Sequence, residues 1–251
     1  MLVPNRKELE RLMELVRIVT FPEYYDNDDS KEIVLYAILL KEVASVIDDK
    51  DRQQSVARSF CDSLPELSRL LHTDVEAAVE NDPAVDSLAE VVLCYPLTEV
   101  MLHYRSAHLL HQLGVPLIPR LLTEMAHSRT GIDIHPAARI GEYFCIDHGT
   151  GVVIGATSII GHHVMIYQGV TLGAKNFQHD EKGRPMDIAR HPIIEDNVTI
   201  YSNASVLGRI RIGHDSIVGG NVWLTHDIPP HSRILQQTAQ SIPTFHDGAG
   251  I

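Results

Sequence analysis

From residue 133 onward, aliphatic side chains recur at every sixth position, and this spacing restricts the fold more than any other feature of the chain. Ile134, Ile140 and Ile146 form one run; Ile154, Ile160, Ile166 and Leu172 a second; Ile194, Ile200, Val206, Ile212, Val218 and Leu224 a third. Six of these thirteen residues are followed directly by glycine. A period of six matches neither the 3.6 of an α-helix nor the alternation of a strand, whereas stacked hexapeptide coils produce it. Each aliphatic then points into a prism, and small or polar neighbours turn the corner. A β-sandwich explains the pattern only by coincidence, because independent short strands have no reason to share one period. The gap from Leu172 to Ile194 spans 22 positions, too many for one flat face, so NFQHDEKGRPMDIAR projects as a loop.

Upstream, from residue 5 to about 128, the spacing is helical. NRKE at 5–8 fits an Asn-x-x-Glu helix start, with Leu9, Leu12, Met13 and Val16 on one face until Pro22 stops the helix. TDVE at 73–76 repeats that start signal. Ile33, Ala37, Leu40, Ala44 and Ile47 form another stripe, and a longer apolar pattern from Leu88 to Leu113 bends at Pro96. The expected fold is therefore α+β: an all-helical domain over 1–130, a left-handed parallel β-helix over 131–230 and a flexible tail over 231–251.

Several function classes are disfavoured by composition. No run approaches the eighteen consecutive apolar residues of a membrane span, although 44% of the 251 residues are hydrophobic. The first residues mix charges of both signs without an export leader, and Cys61, Cys94 and Cys145 show no CxxC spacing, so a reducing cytoplasm is the expected setting. A net charge of −12 opposes general affinity for nucleic acid or anionic membranes. Small molecules and protein partners are the expected ligands.

The chemistry centres on CIDHGTGVVIG at 145–155. A β-helix coil is stiff, so side chains on its outside stay where the backbone places them, as a catalytic pair requires. His148 lies two positions beyond the inward-facing Ile146, and with coils of 18 residues Asp133 comes within reach from the preceding coil. A histidine held by a carboxylate takes a proton from an alcohol near neutral pH. Asp147 and His148 fit equally well as a surface polar pair or a satisfied turn, and spacing alone does not separate these readings. Cys145 reads as a small packed side chain in preference to a nucleophile. His162, His163, His214 and His226 fall on coils without isolating a three-histidine zinc triad, and His135 is expected to pack at the start of the first coil.

Taken in order, DIHPAARIG at 133–141, DHGTGVVIG at 147–155, GVTLG at 169–173, RHPII at 190–194 and, upstream, NDPAVD at 81–86 resemble the serine acetyltransferase family. The resemblance covers roughly residues 75–228. It implies acetyl transfer from acetyl-CoA to the hydroxyl of L-serine, with His148 as general base and Asp133 orienting its ring. Asp82 and Asp147 would hold the amino acid, with Arg190 and His191 near its carboxylate; from sequence alone, Asp82-Pro83 also fits a simple turn and Arg190-His191 ordinary loop residues. A thioester is already activated, so no metal is implied. Acetyl-CoA would lie between neighbouring β-helices of a homotrimer, near Gly173, Ala174, Gly219 and Gly220. Because coenzyme A is a polyanion, Lys175, Arg209 and Arg211 are candidate cations along its path, although a lone cation on a coil also fits a solvated surface residue. The family's helical domain joins two trimers into a hexamer. Its terminal Gly-Ile docks into O-acetylserine sulfhydrylase, and Gly250 and Ile251 reproduce that ending, although an untethered tail fits the same residues.

Departures from the family pattern are the long loop before His191, Tyr201 and Trp223 in place of small residues, and HSRILQQTAQ where a Gly-x-Pro-Ala-Arg close is usual. The rival readings are a hexapeptide acetyltransferase with another hydroxyl acceptor and a non-catalytic scaffold.

Overall fold

Asn5 opens the first helix, α1 (Arg6–Thr20), with its side chain accepting from the Lys7 amide at 3.0 Å. The expected reciprocal partner, Glu8, reaches instead to Lys41, and the Asn5 amide donates to Glu42 of the next helix. The cap thus fastens two helices together. This computed structural model describes residues 3–26, 28–176, 180–184, 186 and 188–237, excluding the side chain of Asp29. Among them, α1 is followed by α2 (Asp29–Ala44), α3 (Lys50–Asp62), α4 (Leu64–Asn81), α5 (Leu88–Cys94), α6 (Pro96–Gln112) and α7 (Ile118–Thr130).

Three helical expectations meet corrections. In α2 the buried apolar residues are Leu35, Ile38, Leu39 and Val43, with Ile47 buried just beyond its end, whereas Ile33 is 70% exposed and Ala37 and Ala44 face outward. The segment is apolar almost all round, so periodicity cannot choose a face; packing against α1 and α3 does. TDVE does not start a helix but lies inside α4, where Asp74 is buried against Arg105 of α6 in a two-pronged pair at 2.6 Å. Pro96 separates two helices and does not bend one, since it lacks the amide needed to continue α5 but fits the first turn of α6.

Asp74 and Arg105 also tie the helices to the spiral. Asp74 accepts from the Phe144 amide, Thr73 from the Tyr143 amide, and Arg105 donates to the Gly141 carbonyl. Removing one partner of so buried a pair costs about 3–5 kcal/mol, because the other charge is left unpaired. Tyr104 adds a buried bond to the Ala138 carbonyl. One continuous apolar core runs from Leu9 to Ile228 through both halves.

Gly131, left-handed at φ 72°, ends α7, and the chain enters a parallel β-helix. Its strands are β1 (Asp133–Ile134), β2 (Arg139–Ile140), β3 (Cys145–Asp147), β4 (Val153–Ile154), β5 (Ile159–Ile160), β6 (Met165–Tyr167), β7 (Thr171–Gly173), β8 (Ile193–Ile194), β9 (Thr199–Ile200), β10 (Ser205–Leu207), β11 (Arg211–Ile212), β12 (Ile217–Val218), β13 (Trp223–Leu224) and β14 (Arg233–Ile234). Three parallel sheets form in the orders β1-β4-β7-β10-β13, β2-β5-β8-β11 and β3-β6-β9-β12-β14. The hexad aliphatics stack in register as Ile134–Ile154–Leu172–Val206–Leu224, Ile140–Ile160–Ile194–Ile212 and Ile146–Ile166–Ile200–Val218–Ile234. Of these only Ile140 and Ile234 are not fully buried. β14 pairs with β12, so the spiral extends past residue 230 into the segment read as tail.

Up to β13, successive strands start six residues apart with two exceptions. From Cys145 to Val153 the step is eight, and from Thr171 to Ile193 it is 22. The first coil is therefore two residues longer than the 18 expected, and the insertion falls in the corner that holds His148. The second exception is where the sequence places a loop, and the described residues among 174–192 form no helix or strand. Both interruptions carry candidate site residues.

Candidate active site

Call the corner between the third and first sheets the base edge and that between the first and second sheets the anion edge. At the base edge, the inserted residues force tight local geometry. His148 is left-handed at φ 56°, and Gly149 follows at φ 82°, where an added Cβ would meet Ile132 Cδ1 at 2.4 Å. His148 is thereby lifted off the prism, its side chain 72% exposed and its Nε2 3.7 Å from Asp147 Oδ1.

Asp82 closes this edge from the end of α4. One carboxylate oxygen accepts from the Ala84 amide at 2.8 Å, the turn role that Asp-Pro suggested, and the other accepts from the Tyr95 hydroxyl at 2.7 Å. The Tyr95 hydroxyl, the Ala84 amide and nearby His148 together hold Asp82 below the usual carboxylate range. The Tyr95 phenol is pushed up to about 12 by the carboxylate it donates to. Tyr167, in register with Asp147 on the next coil, stacks on Tyr201 with centroids 5.0 Å apart. This gives Tyr201 its place. Burial raises the Cys145 thiol to about 12, which removes it as a nucleophile.

Asp133 begins the first sheet beside the base edge, where the Gly151 amide donates to the Gly131 carbonyl and the Asp133 amide to the Val152 carbonyl. Its carboxylate nevertheless pairs with Arg120 of α7 at 3.6 Å and not with His148. A count of 18 residues per coil leaves out both the two-residue insertion at this corner and α7, which supplies a cation to the same spot.

The anion edge holds Arg190 and His191. His191 is 8% exposed, and burial together with Arg190, His135 and Arg209 pushes its imidazole down to about 4. Its ring lies over Gly155, where a Cβ would come within 1.9 Å of Cδ2. Thr157 bonds to Nδ1 through its amide at 3.1 Å and its hydroxyl at 2.8 Å. Arg209 donates to the Thr157 and His191 carbonyls at 2.7 and 2.9 Å. His135 sits on the same edge, as expected for the start of the first coil, with Nδ1 accepting from the Ala137 amide.

The residues assigned to the cofactor divide between the two edges. Gly173, Ala174 and Lys175 follow β7 at the anion edge, where Lys175, Asn176, Arg190, Leu207, Arg209 and Thr225 line a cleft of about 250 Å³. Gly219 and Gly220 follow β12 at the base edge, packed on Leu235 and Ser202. Arg211 is paired with Glu195 at 2.6 Å. Trp223 is 72% exposed on the first sheet. Gly250 and Ile251 lie outside the described residues.

Sequence reasoning missed Tyr95, Tyr167, Gly155 and Thr157. Tyr167 was accessible, since it follows Ile166 as Asp147 follows Ile146. It also missed that His214, Asp215 and His231 gather at the third corner, their candidate ligand atoms within 4.8 Å of one another, because corner residues 16 or 17 positions apart stack. Glu124, His127 and Asp133 form a second such group.

A triangular β-helix with an exposed histidine beside carboxylates on one edge and cations on another defines an acyltransferase of the hexapeptide class. The family profile described as bacterial transferase hexapeptide (six repeats) matches residues 191–226. A serine acetyltransferase of Synechococcus elongatus is 42% identical over 99% of this chain and 86% of its own length, and one from Mycobacterium tuberculosis is 41% identical over 67% of this chain and 70% of its own. The crystal structure of Entamoeba histolytica serine acetyltransferase isoform 3 in complex with cysteine superposes with a TM-score of 0.82 at 33% identity, covering 94% of this chain and 84% of that one. That of Neisseria gonorrhoeae serine acetyltransferase in complex with serine gives 0.63 at 28%, covering 92% and 97%. The chain belongs to the serine acetyltransferase family.

Proposed function

We propose that this protein transfers the acetyl group of acetyl-CoA to the hydroxyl of L-serine, releasing O-acetyl-L-serine for cysteine synthesis. The observation that carries the site assignment is the placing of carboxylates and an exposed imidazole on one edge and of cationic and neutral donors on another. An amino acid offers complementary ends: Asp82 and Asp147 receive its ammonium, and Arg190 and His191 its carboxylate. His148 takes the hydroxyl proton as the oxygen attacks the thioester carbonyl. The tetrahedral adduct then collapses, the C–S bond breaks, and the proton passes to the departing CoA sulfur. Asp147, and Asp133 once turned from Arg120, steady the imidazolium.

Because the two edges belong to different corners of one prism, the site is built between chains, and a homotrimer is the smallest unit that completes it. Acetyl-CoA then runs along the groove between Gly173–Lys175 of one chain and Gly219–Gly220 of the next. The helical residues 1–130 join two trimers, and Gly250–Ile251 capture O-acetylserine sulfhydrylase. The setting is the cytoplasm; among the described residues no helix is long and apolar enough to cross a membrane. The chemistry assigned to these residues uses no metal.

Acceptor profiling tests the reading: acetyl-CoA is offered with serine, homoserine or a panel of sugars, and free thiol is measured. Serine-dependent release is expected, and release with sugars alone would sink the assignment.

A further inference from the structure

A histidine that binds a substrate anion while neutral must carry its proton on the nitrogen facing the ligand. For His191 the hydrogen bonds around Nδ1 decide which nitrogen that is. The Thr157 hydroxyl oxygen accepts from two main-chain amides, Arg190 at 2.9 Å and His191 at 3.1 Å. A hydroxyl has one hydrogen and two lone pairs. With both lone pairs engaged by groups that can only donate, its hydrogen points to the remaining partner, Nδ1, 2.8 Å away. The Thr157 amide donates to the same nitrogen at 3.1 Å. Two donors on Nδ1 leave no room for a proton there. Nε2 therefore carries it, and that atom has no hydrogen bond among the described residues.

We propose that Thr157 is a positioning residue that locks His191 in the neutral Nε2–H form and, through the same hydroxyl, fixes the backbone of residues 190 and 191, so that Nε2–H and the Arg190 guanidinium converge on the carboxylate of the acceptor amino acid. This rests on the serine reading above for its consequence, but not for the tautomer. Burial and, after it, Arg190, His135 and Arg209 oppose a second proton, and Gly155 leaves the space the ring occupies. Arg209 clamps the carbonyls of Thr157 and His191 from the other side. A Lys at 157 would offer Nδ1 a donor but could accept neither amide; serine could do both.

The test combines spectroscopy with kinetics on the full-length assembled protein. Solid-state NMR of sedimented protein with ring-15N histidine, assigned by His191→Gln, should show Nδ1 unprotonated and Nε2 protonated. Thr157→Ser should retain that pattern and near-native kinetics. Thr157→Val, which keeps shape and amide but loses the hydroxyl, should mix the tautomers and raise KM for serine about tenfold, the scale of one lost hydrogen bond, with kcat and KM for acetyl-CoA within about twofold. A wild-type ring protonated on Nδ1 overturns the proposal, as does a Val variant with unchanged tautomer and unchanged KM. Should the Val variant fail to assemble, the wild-type and Ser spectra still decide it. An enzyme that ignores serine would remove the substrate reading and leave the tautomer assignment to stand or fall by NMR.

Discussion

The two histidines that the sequence singles out, His148 and His191, occupy opposite kinds of place. His148 stands on an inserted corner, mostly in solvent, with one carboxylate 3.7 Å away. His191 is gripped by Thr157 and seated on Gly155, and its burial, with Arg190, His135 and Arg209 nearby, keeps it neutral. A proton acceptor must change charge during the reaction, and an exposed ring beside acids can. A fixed donor must not, and a buried ring beside cations does not. The contrast suits His148 to the proposed role of base and His191 to the proposed role of fixed donor.

The largest expected effect is at His148. His148→Ala should lower kcat about a thousandfold, the upper-middle range for removing a general base, with assembly and acetyl-CoA binding retained. Unchanged turnover would take the base role from this residue. Next comes the separation of the two edges. Denaturing His148→Ala and His191→Ala chains together and refolding them should regenerate about a quarter of the sites by random mixing, if each site draws one histidine from each of two chains. Activity no greater than the sum of the separate variants would place both residues in one chain's site.

A smaller effect is expected from Gly155→Ala, whose Cβ would overlap the His191 ring and displace it. KM for serine should rise about tenfold while kcat changes little, as for loss of an interaction made equally in ground and transition states. A rise in KM for acetyl-CoA alone would show that the ring faces the cofactor instead. The smallest effect concerns acid stability. Because His191 titrates near 4 when folded but near its ordinary value when unfolded, the unfolded chain binds more protons between those values. Its contribution is full above about pH 6.5, declines as the pH falls toward 4 and changes no further below that. Urea midpoints from pH 7 to 4 should therefore fall less steeply in His191→Gln than in the parent chain; parallel curves would contradict the burial of the ring.

The spiral was legible because its core repeats. Each inward aliphatic sees the same surroundings one coil later, so the same residue type serves at Ile154, Leu172 and Val206. The break from Leu172 to Ile194 predicts a loop, whereas the eight-residue step from Ile146 to Ile154, which contains His148, lies in the same spacing but is passed over by a count of 18 residues per coil. The helical half was less readable. In α2 too many faces are apolar for a period to select one, and the Thr73-Asp74 pair looks like a cap until Arg105 and the Tyr143 and Phe144 amides arrive from distant parts of the chain. The same limit hid Thr157, an unremarkable corner threonine until the loop brings His191 back over it.

By itself, then, the sequence determined the period of the prism, the positions of its two interruptions and the residue types able to exchange a proton or meet an anion there, because each of these is a property of neighbours along the chain. Only the tertiary structure decided that Asp133 turns to Arg120, that Asp82 and Tyr95 close the base edge, and that Thr157 orients His191. Those outcomes depend on which segments meet across coils and between the halves, and the hydrogen bonds and ion pairs that settle them join residues far apart in the chain.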